Sequence, residues 1–160
     1  MDQPEPRGHL ESLSDDLSLA LGRAVWAFSV IESATFDYLK QLSTEPLHEL
    51  MIEQLFKASL SLVLKLVERI EGFPDEKANA QRFLKRAEEL AKTRNAIAHS
   101  PWRIWADFEL RELRAHIQPP KANAKAHTLE TVRQFTADAE EVSVGLFEAL
   151  GSLPHVCNLR

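Results

Sequence analysis

Glycine and proline are nearly absent from the interior of this chain. Only five glycines occur in 160 residues, and neither residue type lies between Gly22 and Pro46, between Pro46 and Gly72, or between Pro74 and Pro101. Closely spaced turns depend on these residues, so an all-β chain of short strands is disfavoured and long helices are favoured. The apolar residues agree. Leu17, Leu21, Ala24, Phe28, Ile31, Thr35, Tyr38 and Leu42 recur in alternating steps of four and three, which is one face of a helix.

This periodicity predicts helix A from about Asp15 to Leu42, with Ser14 as its N-cap and Asp15 and Asp16 set against the helix dipole. Ser43-Thr44-Glu45-Pro46 breaks it. Helix B is expected from about Leu47 to Ile70, and its second half is apolar almost all round. Two readings of that half stay open: a central helix touching two neighbours, or an outer face covered by a second subunit. Gly72-Phe73-Pro74 stops helix B, and Asp75 can cap helix C, from about Glu76 to Ala98. Pro101 ends that run.

The period then changes. Ile104, Ala106, Phe108 and Leu110 alternate with Asp107 and Glu109, and Leu113, Ala115 and Ile117 alternate with Arg114 and His116. Two short strands forming a hairpin are expected, with a short helix over 108–114 as the rival. Thr128 caps helix D, which runs to about Leu150 with Leu129, Val132, Phe135, Thr136, Ala139, Val142, Leu146 and Leu150 as its stripe. The fold class expected is all-α: an antiparallel four-helix bundle with a short irregular or β-hairpin insert between the third and fourth long helices. Residues 1–13 read as a flexible tail, 14–155 as one domain and 156–160 as a C-terminal tail.

Composition narrows the function classes. Cys157 is the single cysteine, which excludes a disulfide framework. No uninterrupted apolar run reaches ~18 residues, so no membrane span is expected. The acidic N-terminus has no apolar core of a signal peptide. A cytoplasmic setting follows as the expectation. The net charge of −5 argues against a broadly basic nucleic-acid coat. Mapped along the chain, however, it divides. Residues 1–16 carry a balance of −4, whereas residues 82–103 carry +4, with Lys92, Arg94 and Arg103 among the cations.

Arg94 breaks the pattern of helix C. It lies on the apolar stripe between Leu90 and Ile97, where a guanidinium is costly unless paired or opened to a cleft. Pairing with Glu32, on the flank of the helix A stripe, is the structural alternative to a chemical role. Asn95 and His99 lie four apart on one helical face, and His99 stands at the helix C-terminus, which favours an imidazolium. Arg94 and His99 point ~140° from each other in a straight helix. The chemistry open to this set is phosphodiester transfer: histidine moves a hydroxyl proton, arginine holds phosphate charge and asparagine orients. Trp102 and Trp105 either stack on unpaired bases or serve as core or interface. The other histidines show no ligand spacing, so neither a metal nor a cofactor is expected.

The run Arg94-Asn95-Ala96-Ile97-Ala98-His99 resembles the Arg-Asn-x-x-x-His signature of HEPN domains, and its setting Lys92-Thr93 before and Ser100-Pro101-Trp102 after is similar to the family's. Trp26, Ile31 and Glu32 of helix A resemble the family's first long helix. The likeness covers roughly residues 14–152. It implies an all-α domain that works as a homodimer, with the two motifs facing one cleft. It also implies a metal-independent endoribonuclease that leaves a cyclic phosphate and a free 5′ hydroxyl. Arg94 and His99 would be the catalytic pair, Asn95 the polar support and Glu32 the group that orients Arg94. Independently of the resemblance, the local positive charge at Lys92 and Arg103 and the stacking capacity of Trp102 make these three the expected RNA contacts. The resemblance further implies a toxin or defence setting, with an antitoxin or other protein partner. Because some members lack nuclease activity, the alternative is an inactive helical interaction or nucleotide-sensing module.

Overall fold

The computed structural model describes residues 6–107, 112–117 and 126–155. Four long helices are present: α1 (Pro6–Leu42), α3 (Phe56–Arg69), α4 (Pro74–His99) and α5 (Leu129–Ser152). A short helix, α2 (Leu47–Met51), precedes α3. Between α4 and α5 lie three strands, β1 (Trp102–Asp107), β2 (Glu112–Ile117) and β3 (His127–Thr128), forming an antiparallel sheet in the order β1-β2-β3. The molecule is mostly helical, and the small sheet stands at the expected insert between the third and fourth long helices, with β3 added to the hairpin.

The expected stripes form the core. Leu17, Ala24, Phe28, Ile31, Thr35, Tyr38 and Leu42 of α1 are buried, as are Val132, Phe135, Ala139, Val142 and Leu146 of α5. Each large apolar side chain withdrawn from water contributes roughly 1.5–3 kcal/mol, which is what selects this face of each helix. The start of α1 differs from expectation. The helix begins at Pro6, so Ser14 lies inside it and residues 6–13 are helical. Proline suits a first turn, where its missing N–H would have no partner in any case.

Contacts set the helix directions. Phe28 of α1 stacks on Phe135 of α5, Tyr38 Oη donates to the Leu146 carbonyl, and Gln41 donates to the Leu150 and Leu153 carbonyls. Later residues of α1 thus meet later residues of α5, and the two helices run parallel. Along α4 the order reverses: Phe83 adjoins Gly145, and Arg86 pairs with Glu141. Hence α4 is antiparallel to both. A tight turn at Gly72 and Phe73, both with positive φ, makes α3 antiparallel to α4. Helix α3 therefore runs parallel to α1, which corrects the expected fully antiparallel bundle.

That reversal explains why helix B is broken. A continuous helix from Leu47 to Ile70 would run away from the start of α3. Instead residues 43–55 carry the chain back along α1. The extended backbone of Leu55 (φ −62°, ψ 141°) resets the direction before α3. Phe56 then meets the Phe28 ring edge-on at 5.2 Å. Asp75 is in the first turn of α4 rather than its cap, and Pro74 takes the first helical position. At the other end of that turn, Lys77 Nζ donates to the Glu68 and Ile70 carbonyls, satisfying acceptors left open where α3 ends.

The hairpin is as the alternation implies: Trp102 pairs with Ile117 and Asp107 with Glu112. Residues 108–111 lie outside the described part, while 112–117 are strand, against the rival helix. Buried Ile117 ties the sheet to the core. Thr128 caps α5 through a reciprocal bond pair with Thr131. Over Leu10–Leu42, α1 is long and apolar enough to satisfy the length criterion for a membrane span. Its inner side chains, among them Ile31, Ala34, Tyr38 and Leu39, are wholly buried in the protein core.

Candidate functional site

Helix α3 has only 14 residues and begins level with Phe28, so it covers one half of the surface where α1 and α4 meet. The uncovered half is a cleft of about 500 Å³. Phe28, Phe56, Leu60 and Ala91 give it an apolar floor; Glu32, Lys57, Glu88, Lys92, Arg94 and Asn95 supply its charged and polar groups. Three cations against two carboxylates leave the cleft with a balance of +1.

Arg94 reaches this cleft because it sits on the core-facing stripe of α4 at the point where the third helix is missing. Its Nη2 donates to Glu32 Oε1 at 2.7 Å, and its Nη1 donates to Asn95 Oδ1 at 3.1 Å. The guanidinium carbon lies 5.3 Å from the centroid of Phe28, within the range of a cation–π contact. Arg94 and Glu32 keep 31% and 29% of their side chains exposed. The guanidinium is therefore compensated and oriented, yet open to a ligand.

Lys92 and Asn95 are exposed on the cleft wall. His99 is the last residue of α4, exposed, and does not line the cleft. It does belong to the same ridge: Glu88, Lys92, Asn95 and His99 follow one another at steps of four, three and four, the spacing of one helical face. The rise from Arg94 to His99 is about 7.5 Å. The structure thus joins Arg94, Asn95, Glu32 and Lys92 in one cleft and leaves His99 one turn beyond it.

The two remaining candidates lie on β1. Arg103 is exposed. Trp102 is half-buried and packs against the core, and its Nε1 has no hydrogen-bond partner among the described residues. This is the placement of an anchor rather than of an open stacking platform. Trp105 is the more exposed indole of the pair, its ring edge-on to His116 at 4.1 Å. Sequence reasoning missed Lys57, Gln54 and Phe56, which join the cleft only because the chain returns along α1 before α3. Among the described residues, no three His, Cys, Asp or Glu side chains gather as a metal-ligating group.

No family model matches this chain, and no curated protein or solved structure matches it.

Proposed function

We propose that this protein is a metal-independent endoribonuclease of the HEPN type, working as a homodimer. Arg94 stabilises the phosphate and His99 moves the proton. One observation carries the reading: Arg94 and Asn95 share a cleft with Lys57 and Lys92, and the Lys92–Asn95 ridge continues to His99. An RNA strand laid along the ridge meets cations at the cleft and an imidazole at the helix end. The apolar floor suits the face of an unpaired base.

In the proposed reaction a ribose 2′ oxygen attacks the adjacent phosphorus. That oxygen–phosphorus bond closes the cyclic phosphate while the bond to the 5′ oxygen breaks. The proton lost from the 2′ hydroxyl is balanced by one delivered to the departing 5′ oxygen. His99 suits either transfer. Arg94, fixed by Glu32 and Asn95, opposes the charge that builds on the phosphoryl oxygens. Because His99 lies beyond the cleft of its own chain, the resemblance assigns the second proton transfer to a second copy whose motif faces the first. A cytoplasmic toxin or defence component with a protein partner is the setting this proposal carries.

Incubating the purified protein with structured and unstructured RNA in chelator, followed by end-group analysis, tests the reading. Cyclic phosphate and 5′ hydroxyl ends that disappear with His99→Ala support it. One observation favours a second reading, a non-enzymatic helical interaction module: Arg94 already has an acidic partner in Glu32. In that reading His99→Ala changes nothing measurable on RNA, and Arg94→Ala is costly to stability because Glu32 loses its partner.

A further inference from the structure

A second concave surface, of about 590 Å³, lies between the outward side of α1 and α5. It shares no lining residue with the cleft of Arg94. Its α1 wall is apolar and open: Trp26 is 74% exposed and Leu19 55%. Between them stands Gly22, and a Cβ added there would meet nothing within 4 Å. A mid-helix glycine weakens a helix relative to alanine. Nothing inside this chain uses the space it leaves, whereas an approaching helix would.

The charges around the groove identify the occupant. Asp16 and Glu140 face it together with Arg23 and Arg133, two of each sign. None of the four makes a salt bridge with another described residue. A balanced groove offers no net attraction to a polyanion. It does suit a partner carrying the same alternation in reverse, and a second copy of this chain is such a partner. Asp16 and Arg23 are seven residues apart, about 10.5 Å along the helix. A two-fold axis crossing α1 near Leu19 sets each Asp16 against the Arg23 of the other copy.

We propose that the outward face of α1 is a self-association surface, on which a second copy docks antiparallel through Leu19, Gly22 and Trp26 with reciprocal Asp16–Arg23 pairs. This face shares no lining residue with the Arg94 cleft, so the contact is additional to the motif-facing homodimer of the nuclease reading and does not depend on cleavage.

Sedimentation of the full chain across a concentration series tests it. The expected result is reversible association through this face at or below about 100 µM, a dimer by itself and a larger assembly where the motif-facing homodimer also forms. Gly22→Leu and Trp26→Ser weaken it at least ~10-fold, as loss of a central interface anchor does. Asp16→Arg and Arg23→Asp each weaken it, and the double exchange restores it. All four positions are exposed, so unchanged circular dichroism and melting show that each variant folds. A monomer throughout the series overturns the proposal, including a monomer whose α1 face binds lipid vesicles instead. A dimer insensitive to all these substitutions also overturns it and assigns association to another face. The insensitive dimer removes only this contact and leaves the motif-facing homodimer standing, a monomer throughout removes both, and RNA cleavage is read in a separate assay.

Discussion

Arg94 Nη2 donates a hydrogen bond to Glu32 Oε1 at 2.7 Å, joining α4 to α1 across 62 positions of sequence. The pair closes one side of a cleft whose floor is aromatic. It explains how a guanidinium stands on a core-facing stripe: the carboxylate compensates its charge, and the shortness of α3 leaves it reachable by solvent. Both partners are about a third exposed, so their coupling falls with the modest ion pairs, on the order of 1 kcal/mol. A double-mutant cycle with Glu32→Gln and Arg94→Gln, read by urea unfolding, measures it. Coupling of several kcal/mol would mark Arg94 as chiefly structural.

Two helix-interior glycines, Gly145 and Gly22, predict opposite signs. A Cβ at Gly145 would run into the Phe83 ring, so Gly145→Ala displaces that ring at the α4–α5 contact and costs roughly 1–3 kcal/mol. At Gly22 the same change meets nothing. Measured on the monomer, Gly22→Ala raises stability by about 0.5–1 kcal/mol. Denaturant midpoints of the two variants read both signs.

Tyr38 is the only tyrosine, so phenolate absorbance reports on it alone. Burial pushes its hydroxyl pKa well above the ordinary value, while the hydroxyl donates to the Leu146 carbonyl at 3.0 Å. A raised folded-state pKa means stability is full below the unfolded value near ~10 and declines as pH rises above it. The expected titration therefore shows no phenolate until alkaline unfolding begins. Tyr38→Phe costs about 1 kcal/mol at neutral pH, through the lost hydrogen bond.

Arg86 and Glu141 form a two-pronged pair at 2.6 and 3.2 Å on the α4–α5 surface. The hydrogen bond from Arg86 and the nearby guanidinium charge hold the Glu141 carboxyl below its usual value. The sign follows: the pair stabilises above the unfolded carboxylate pKa and is lost as pH falls through the lowered folded one. Glu141→Gln should lower the melting temperature slightly at neutral pH. The gap from wild type should close in acid and shrink in high salt.

Much of the fold is legible in sequence where local and tertiary signals agree. The stripe from Leu17 to Leu42 is readable because the residues that favour the helix also bury; the Thr128 cap is readable from a local side-chain bond, and the strands from their period of two, although Ile104 and Ala106 stay exposed. The break after α2 was not readable: no glycine or proline marks residues 52–55, and only the parallel course of α1 and α3 demands a return there. The start of α1 was missed because Ser14 offered a good cap that an earlier start overrode. At the site, Arg94 was visible because it interrupts an apolar stripe, and Glu32 because it flanks one. Lys57, Gln54 and Phe56 carry no local signal, since their place in the cleft comes from the return segment alone.

Metal-free cleavage of RNA by wild type, His99→Ala and Arg94→Ala tests the proposed nuclease most directly. All three should be checked for equal folding and sampled in excess chelator, with product ends identified. Wild type should leave cyclic phosphate and 5′ hydroxyl ends, with the rate lowered ~10²-fold or more in each variant. Wild type that leaves every RNA intact at high protein concentration would contradict the nuclease proposal, as would cleavage that persists unchanged in both variants.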